Sequence, residues 1–209
     1  VSFVRSQKHD FSPDPCQNDR DAEDSMPGLA GIFAKTSGQD RDIHIRTVRR
    51  MREAMLHEPY YVSNEYFGKN SDLFLGHTAI AETLSDKMPV LNENQDVLLF
   101  LNGECYEDPS TLGRGHRFDP DGAGFLVHLY EEEGPRFFSR LNGWFCGVLI
   151  DDRTGETHLF NDRYGIRKIY VLEKDEGLFF SSEAKSLLAC FPETRSIDPR
   201  SMGEYLCFE

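Results

Sequence analysis

The chain has 209 residues, enough for one ordinary domain with a tail; 39% are hydrophobic and 12% aromatic, which supplies a sizeable core. Its formal net charge is −13, and it contains no basic run that phosphates could neutralise, which argues against a nucleic-acid partner. No apolar run approaches the ~20 residues of a membrane span and no hydrophobic signal segment opens the chain, so neither membrane nor secretion is indicated.

The five cysteines (Cys16, Cys105, Cys146, Cys190 and Cys207) are odd in number, irregularly spaced and form no CxxC pair. Neither a zinc site nor a disulfide framework is signalled, and a reducing cytoplasm is the natural setting.

Residues 1–25 are rich in Asp, Ser, Pro, Gln and Asn and poor in apolar side chains, the composition of a disordered tail. Met26, directly before the first globular segment, is the expected natural start; a genuine flexible extension is the alternative. Residues 29–35 read as a buried strand. Over 42–55, Ile45, Val48, Met51 and Met55 recur at three-to-four spacing, predicting an amphipathic helix. Strands are expected at 60–67, 72–77 and 97–101, the last running straight into Asn102-Gly103. Phe125, Leu126, Leu129 and Tyr130 share a helical face over 124–133, and a short second helix follows at 135–141. Further strands are predicted at 144–151, 157–161, 169–173 and 178–181, separated by tight turns, with a helix at 183–190. Strands joined by tight turns favour antiparallel sheets with helices outside, an α+β fold.

Individually the motifs are weak. Asn-Gly after a strand is ordinarily a turn, and Asp162-Arg163-Tyr164-Gly165 fits a surface turn with a local ion pair. Gly165 suits a positive φ there, with Ile166 returning to the core. Ser182 reads as a helix cap. Together and in order they carry more: Leu29-Ala30-Gly31-Ile32-Phe33, Asn102-Gly103-Glu104, Leu141-Asn142-Gly143-Trp144-Phe145, Asn161-Asp162-Arg163-Tyr164-Gly165-Ile166 and Ser182-Glu183-Ala184-Lys185. This series resembles the class II glutamine amidotransferase domain of the asparagine synthetase family.

The resemblance implies a four-layer αββα sandwich of two antiparallel sheets, the N-terminal-nucleophile hydrolase fold. Its boundaries are a tail at 1–25, an amidotransferase-like domain at 26–190, and at 191–209 a linker and the start of an ATP-dependent synthetase domain. In the family a terminal cysteine attacks the glutamine amide with its own amino group as base. An asparagine side chain and a glycine N–H hold the oxyanion, an arginine clamps the substrate carboxylate, and an aspartate holds its ammonium. Carried over by position, the oxyanion pair falls on Asn102 and Gly103, and both are present. The nucleophile falls on Ala30, the arginine on Ala79 and the aspartate on Gly122, with Asp121 adjacent.

The expectation is therefore an amidotransferase-like domain with a degenerate glutaminase site, a pseudoenzyme module of an amide ligase. Its nitrogen would come from ammonia or an amine substrate. ATP and magnesium belong to the synthetase domain alone, since no ATP-binding glycine-serine loop occurs in these residues. The implied partner is that C-terminal synthetase domain of the same chain, with a homodimer compatible. Two other readings stand open: a working glutamine-hydrolysing asparagine synthetase carrying a substituted nucleophile, and a stand-alone non-catalytic binding module.

Cys105 is weighed as a displaced nucleophile against a small half-buried residue, and Cys146 as core. His77 and His128 read as satisfied structural histidines, with no carboxylate at ligand spacing and no metal site.

Overall fold

A computed structural model describes residues 28–35, 41–68, 72–109 and 122–208 of the chain. The readings placed on residues 1–25, on Met26, on Cys16 and on Asp121 fall outside them.

Two antiparallel sheets form the centre. The first contains β1 (Gly28–Ala34), β2 (Tyr61–Phe67), β3 (Leu73–Ile80), β8 (Tyr170–Lys174) and β9 (Gly177–Ser181), in the order β2-β3-β1-β9-β8. The second runs β4-β5-β6-β7, built from β4 (Val90–Leu91), β5 (Val97–Cys105), β6 (Gly143–Asp151) and β7 (Glu156–Asn161). Helices α1 (Arg41–Glu53) and α4 (Ala184–Cys190) pack on the first sheet. Helices α2 (Gly124–Glu133) and α3 (Arg136–Arg140) belong to the second, where α2 meets β4 and β5. Helix α5 (Pro199–Phe208) closes the described chain, and its residues 199–207 are exposed.

Strand alternation sorts the residues of β1 into two compartments. Leu29 joins Leu75, Phe100, Phe145, Val148 and Phe180 in the core between the sheets. Ala30 and Ile32 face the other way, into the layer formed with Val48, Met51, Met55 and Leu187 of the helical side. Each fully buried leucine or phenylalanine here contributes about 1.5–3 kcal/mol, so a one-residue slip of β1 would exchange the two faces at large cost.

The α+β class and the two antiparallel sheets agree with the sequence expectation. Four local readings change. Strand β3 runs three residues beyond the expected end, to Ile80, because it has partners on both sides, β1 and β2. Asn102-Gly103 is not a turn: β5 continues through it to Cys105, pairing Asn102 with Cys146 and Gly103 with Phe145. Ser182 does not cap α4; Glu183 stands at the cap position without a side-chain cap bond, and the Ser182 hydroxyl accepts from the Leu29 N–H at 2.9 Å. Ile166 does not return to the core but stays 51% exposed, while Gly165 does take a positive φ of 64°.

Candidate functional site

Ala30 lies in the interior of β1, opposite Gly76 on one side and Ser181 on the other. It is fully buried. The strand begins two residues earlier and is tied down there: the Gly28 N–H donates to the Thr78 hydroxyl at 2.9 Å, and the Ser182 N–H donates to the Leu29 carbonyl at 2.8 Å. In this chain the nitrogen of Ala30 is therefore a peptide nitrogen within a three-strand ladder, and its methyl points at the helices.

Asn102 sits on the opposite side of the sheet interface. It shares a face of β5 with Phe100, whose ring meets Tyr66 and His77 of the first sheet. Its side chain is 1% exposed, and among the described residues neither the amide oxygen nor the amide nitrogen has a hydrogen-bond partner. Gly103, next in the strand, has φ +118°, and a Cβ there would lie 2.0 Å from the Trp144 carbonyl oxygen. No residue but glycine fits. Its N–H is already engaged by the buried Ser85 hydroxyl at 3.1 Å, and that hydroxyl reaches the Gly103 carbonyl at 3.3 Å.

Ala79 is fully buried in β3, paired with Val62 and on the same strand face as His77. Gly122 borders a different cavity, about 400 Å³, lined also by Glu82, Thr83, Asp86 and Lys87. The two cavities that border candidate positions do not together gather all five. Asn102 lines one cavity, Gly122 another, and Ala30 and Ala79 neither.

The Asn102 cavity measures about 270 Å³. Cys146 borders it from β6, Ser182 and Glu183 follow β9, and Ile166, Arg167, Lys168 and Tyr170 come from the β7–β8 segment. Asp162 organises that segment. Its carboxylate accepts the N–H groups of Tyr164 and Ile166 at 3.0 Å and of Arg167 at 2.8 Å. Burial pushes its carboxyl up, but these backbone donors outweigh it and hold the group below the usual carboxylate value. The expected ion pair with Arg163 is absent, because Asp162 is spent on backbone and Arg163 donates to the Ser139 carbonyl at 3.0 Å.

Beside the cavity, Glu183 lies 3.0 Å from His57 Nε2, and Lys185 Nζ lies 2.6 Å from His57 Nδ1. Burial raises the Glu183 carboxyl to about 7 and lowers the Lys185 ammonium.

The remaining candidates are structural. Cys105 is half-buried and burial lifts its thiol to about 11, which disfavours the thiolate a nucleophile needs; Cys146 is core, its thiol lifted to about 12. His77 is fully buried and burial lowers it to about 4, but it is not satisfied: neither ring nitrogen has a partner among the described residues. For His128 the expectation that no carboxylate stands at ligand spacing is corrected. Glu131 follows three residues on along α2, with a carboxylate oxygen 3.0 Å from Nδ1, and Glu93 comes within 3.7 Å.

Sequence reasoning missed Ser85, which no motif marks, and His57, which lies 126 residues from its partner Glu183. Arg167 was one residue past a recognised motif, but its place at the cavity depends on the backbone that Asp162 holds.

Sheet order, layering and the strand that carries position 30 define an N-terminal-nucleophile-hydrolase-type fold. Residues 26–209 match the model of the glutamine amidotransferase domain, and the chain belongs to that family. It is 26% identical over 167 residues to asparagine synthetase [glutamine-hydrolyzing] 2 of Bacillus subtilis, covering 78% of this chain and 22% of that protein. To the asparagine synthetase [glutamine-hydrolyzing] of Zea mays it is 34% identical over 124 residues, covering 56% and 21%. The chain thus spans about a fifth of the length of the curated relatives it matches. The solved structure of the Bacillus subtilis glutamine phosphoribosylpyrophosphate amidotransferase, complexed with ADP and GMP, superposes with a TM-score of 0.55 at 14% identity. The match covers 78% of this chain and 43% of that one, a likeness of fold.

Proposed function

We infer that this chain is the amidotransferase-like domain of an asparagine-synthetase-family, ATP-dependent amide ligase, and that it does not itself hydrolyse glutamine. The observation that carries this reading is Ala30. It has no heteroatom, its nitrogen is part of a peptide bond, and its methyl faces the helical layer while Asn102 faces the space between the sheets. Loss of a nucleophile alone costs on the order of a millionfold in rate. The Gly103 N–H is occupied by Ser85, and the carboxylate-clamp position is the buried Ala79.

Its role is then structural, to support or shield a synthetase domain that follows in the full-length protein. ATP and magnesium are assigned to that partner domain, and nitrogen to ammonia or an amine substrate. The net charge of −13 supports a domain without a nucleic-acid surface. No helix among the described residues is long and apolar enough to cross a membrane, and the proposed location is the cytoplasm.

Purified protein given glutamine should release neither ammonia nor glutamate above background, and measurable turnover overturns the reading. One observation favours a second reading, a working glutamine-hydrolysing synthetase with a substituted nucleophile: the matched relatives are named as glutamine-hydrolysing, and Asn102 and Gly103 are retained. Sequencing the source DNA at codon 30 separates the two.

A further inference from the structure

The connection between β4 and β5 brings a second carboxylate to a buried histidine of α2. Asn92 fixes that connection. Its Oδ1 accepts the N–H groups of Asp96 at 3.0 Å and of Val97 at 3.1 Å, and its Nδ2 donates to Glu131 Oε1 on α2 at 2.7 Å. Arg153 Nη1 lies 3.5 Å from the same Glu131 oxygen. With Oε1 held in this way, Glu131 Oε2 faces Nδ1 of His128, three residues earlier on the helix, at 3.0 Å. Glu93, next to Asn92, brings its Oε2 within 3.7 Å of that same nitrogen. The three atoms all lie within 4.8 Å of one another. A tetrahedral ion with bonds of about 2.0–2.2 Å sets its ligand atoms about 3.4 Å apart, and the two distances from Nδ1 fall on either side of that value. A hydrogen bond between His128 and Glu131 explains their pair, but not the second carboxylate at the same nitrogen. The nearby Arg153 does not neutralise the cluster, because Asp151 already binds its guanidinium through two oxygens at 2.9 and 2.8 Å.

We propose that Glu93, His128 and Glu131 form a site for a divalent first-row transition ion of the zinc type, with water as the fourth ligand. The Nδ1 lone pair and one oxygen of each carboxylate would turn to the ion. An imidazole beside two carboxylates suits such an ion better than magnesium or calcium, which prefer oxygen ligands throughout. Asn92 and Arg153 orient Glu131 from outside the site, as outer partners of metal ligands do. The ion would clip the β4–β5 connection to α2 and stabilise the folded chain by mass action. The site shares no residue with the candidate glutaminase positions, so it stands whether or not glutamine is hydrolysed.

Titration of the whole chain with Co²⁺ near neutral pH, followed by absorbance, tests this. Visible ligand-field bands should saturate at one equivalent, without a thiolate-to-cobalt charge-transfer band, and Zn²⁺ should abolish them by displacement. Glu93→Ala should weaken cobalt about tenfold or more. His128→Phe should abolish the bands, and zinc should raise the melting temperature of the parent but not of this variant. Glu93 is exposed, so its variant keeps the test decisive if His128→Phe fails to fold in a circular dichroism melt. Saturation only at millimolar metal, an adventitious ion only, overturns the proposal. So does cobalt affinity unchanged by Glu93→Ala, and so does binding carried by a thiolate band, as at the exposed Cys207. Ammonia release from glutamine is scored separately and bears only on the catalytic reading.

Discussion

The Ser85 hydroxyl bridges both backbone polar groups of Gly103, accepting from its N–H at 3.1 Å and lying 3.3 Å from its carbonyl oxygen. Ser85 comes from the connection between β3 and β4 and Gly103 from the far end of β5, so this bridge ties that connection to the second sheet. Ser85→Ala leaves a buried N–H unsatisfied and should cost about 1–3 kcal/mol. Gly103→Ala meets both the φ of +118° and the Trp144 carbonyl at 2.0 Å, and should cost at least about 3 kcal/mol. Urea unfolding curves measure both, and the order Gly103→Ala worse than Ser85→Ala is the expected outcome.

A thiol placed at position 30 is expected to bring no glutaminase chemistry. In Ala30→Cys the new sulfur would project into the layer of Met51, Met55 and Leu187, with no free amino group beside it. Glutamate production from glutamine is expected to stay at background, and alkylation by iodoacetamide in native buffer should be slow at this position.

The buried His77 makes stability pH-dependent. Its folded pKa is about 4, below the ordinary 6.5, so the unfolded chain binds the extra proton between these values. The associated stability is complete above about pH 6.5 and is lost as pH falls towards 4, up to about 3 kcal/mol. His77→Phe keeps a ring against Phe100 and removes the titration. Stability measured at pH 7 and at about pH 4.5 should differ less in the variant than in the parent, the shared carboxylate contributions cancelling in the comparison.

Asp162 holds the β7–β8 segment through backbone N–H groups rather than side chains. Asp162→Ala frees three of them and should cost about 2–3 kcal/mol. It should also speed tryptic cleavage after Arg163 and Arg167, read by mass spectrometry. Because its folded carboxyl lies below the usual value, its contribution is complete above the unfolded carboxylate pKa and fades as pH falls through the folded one.

The element types were legible because their periodicities are strong. The three-to-four spacing of Val48, Met51 and Met55 and the apolar run of β5 each have one stable reading. The errors fell where a local signal had a tertiary competitor. Asn102-Gly103 has turn chemistry, but β6 offers nine consecutive pairing partners from Gly143 to Asp151, and the strand continues. Ser182 has cap chemistry, but the unpaired Leu29 N–H claimed its hydroxyl first. Ile166 is apolar, yet the bonds from Asp162 hold its backbone outward. At the site, the identities of Ala30, Ala79, Asn102 and Gly103 were read from motif order alone; that the two cavities bordering candidate positions do not gather them all was not, because a motif records sequence neighbours and a pocket records facing directions.

By itself the sequence determined the strands and helices, the family resemblance and the absence of a sulfur at position 30. Only the tertiary structure decided which way position 30 faces, that Ser85 occupies the Gly103 N–H, and that Asn102, unpartnered among the described residues, borders a cavity edged by Arg167 and Lys168. The reason is range. Periodicity and turn preference act over a few residues, whereas these three facts are set by strand register and sheet stacking between segments from 18 to more than 60 residues apart.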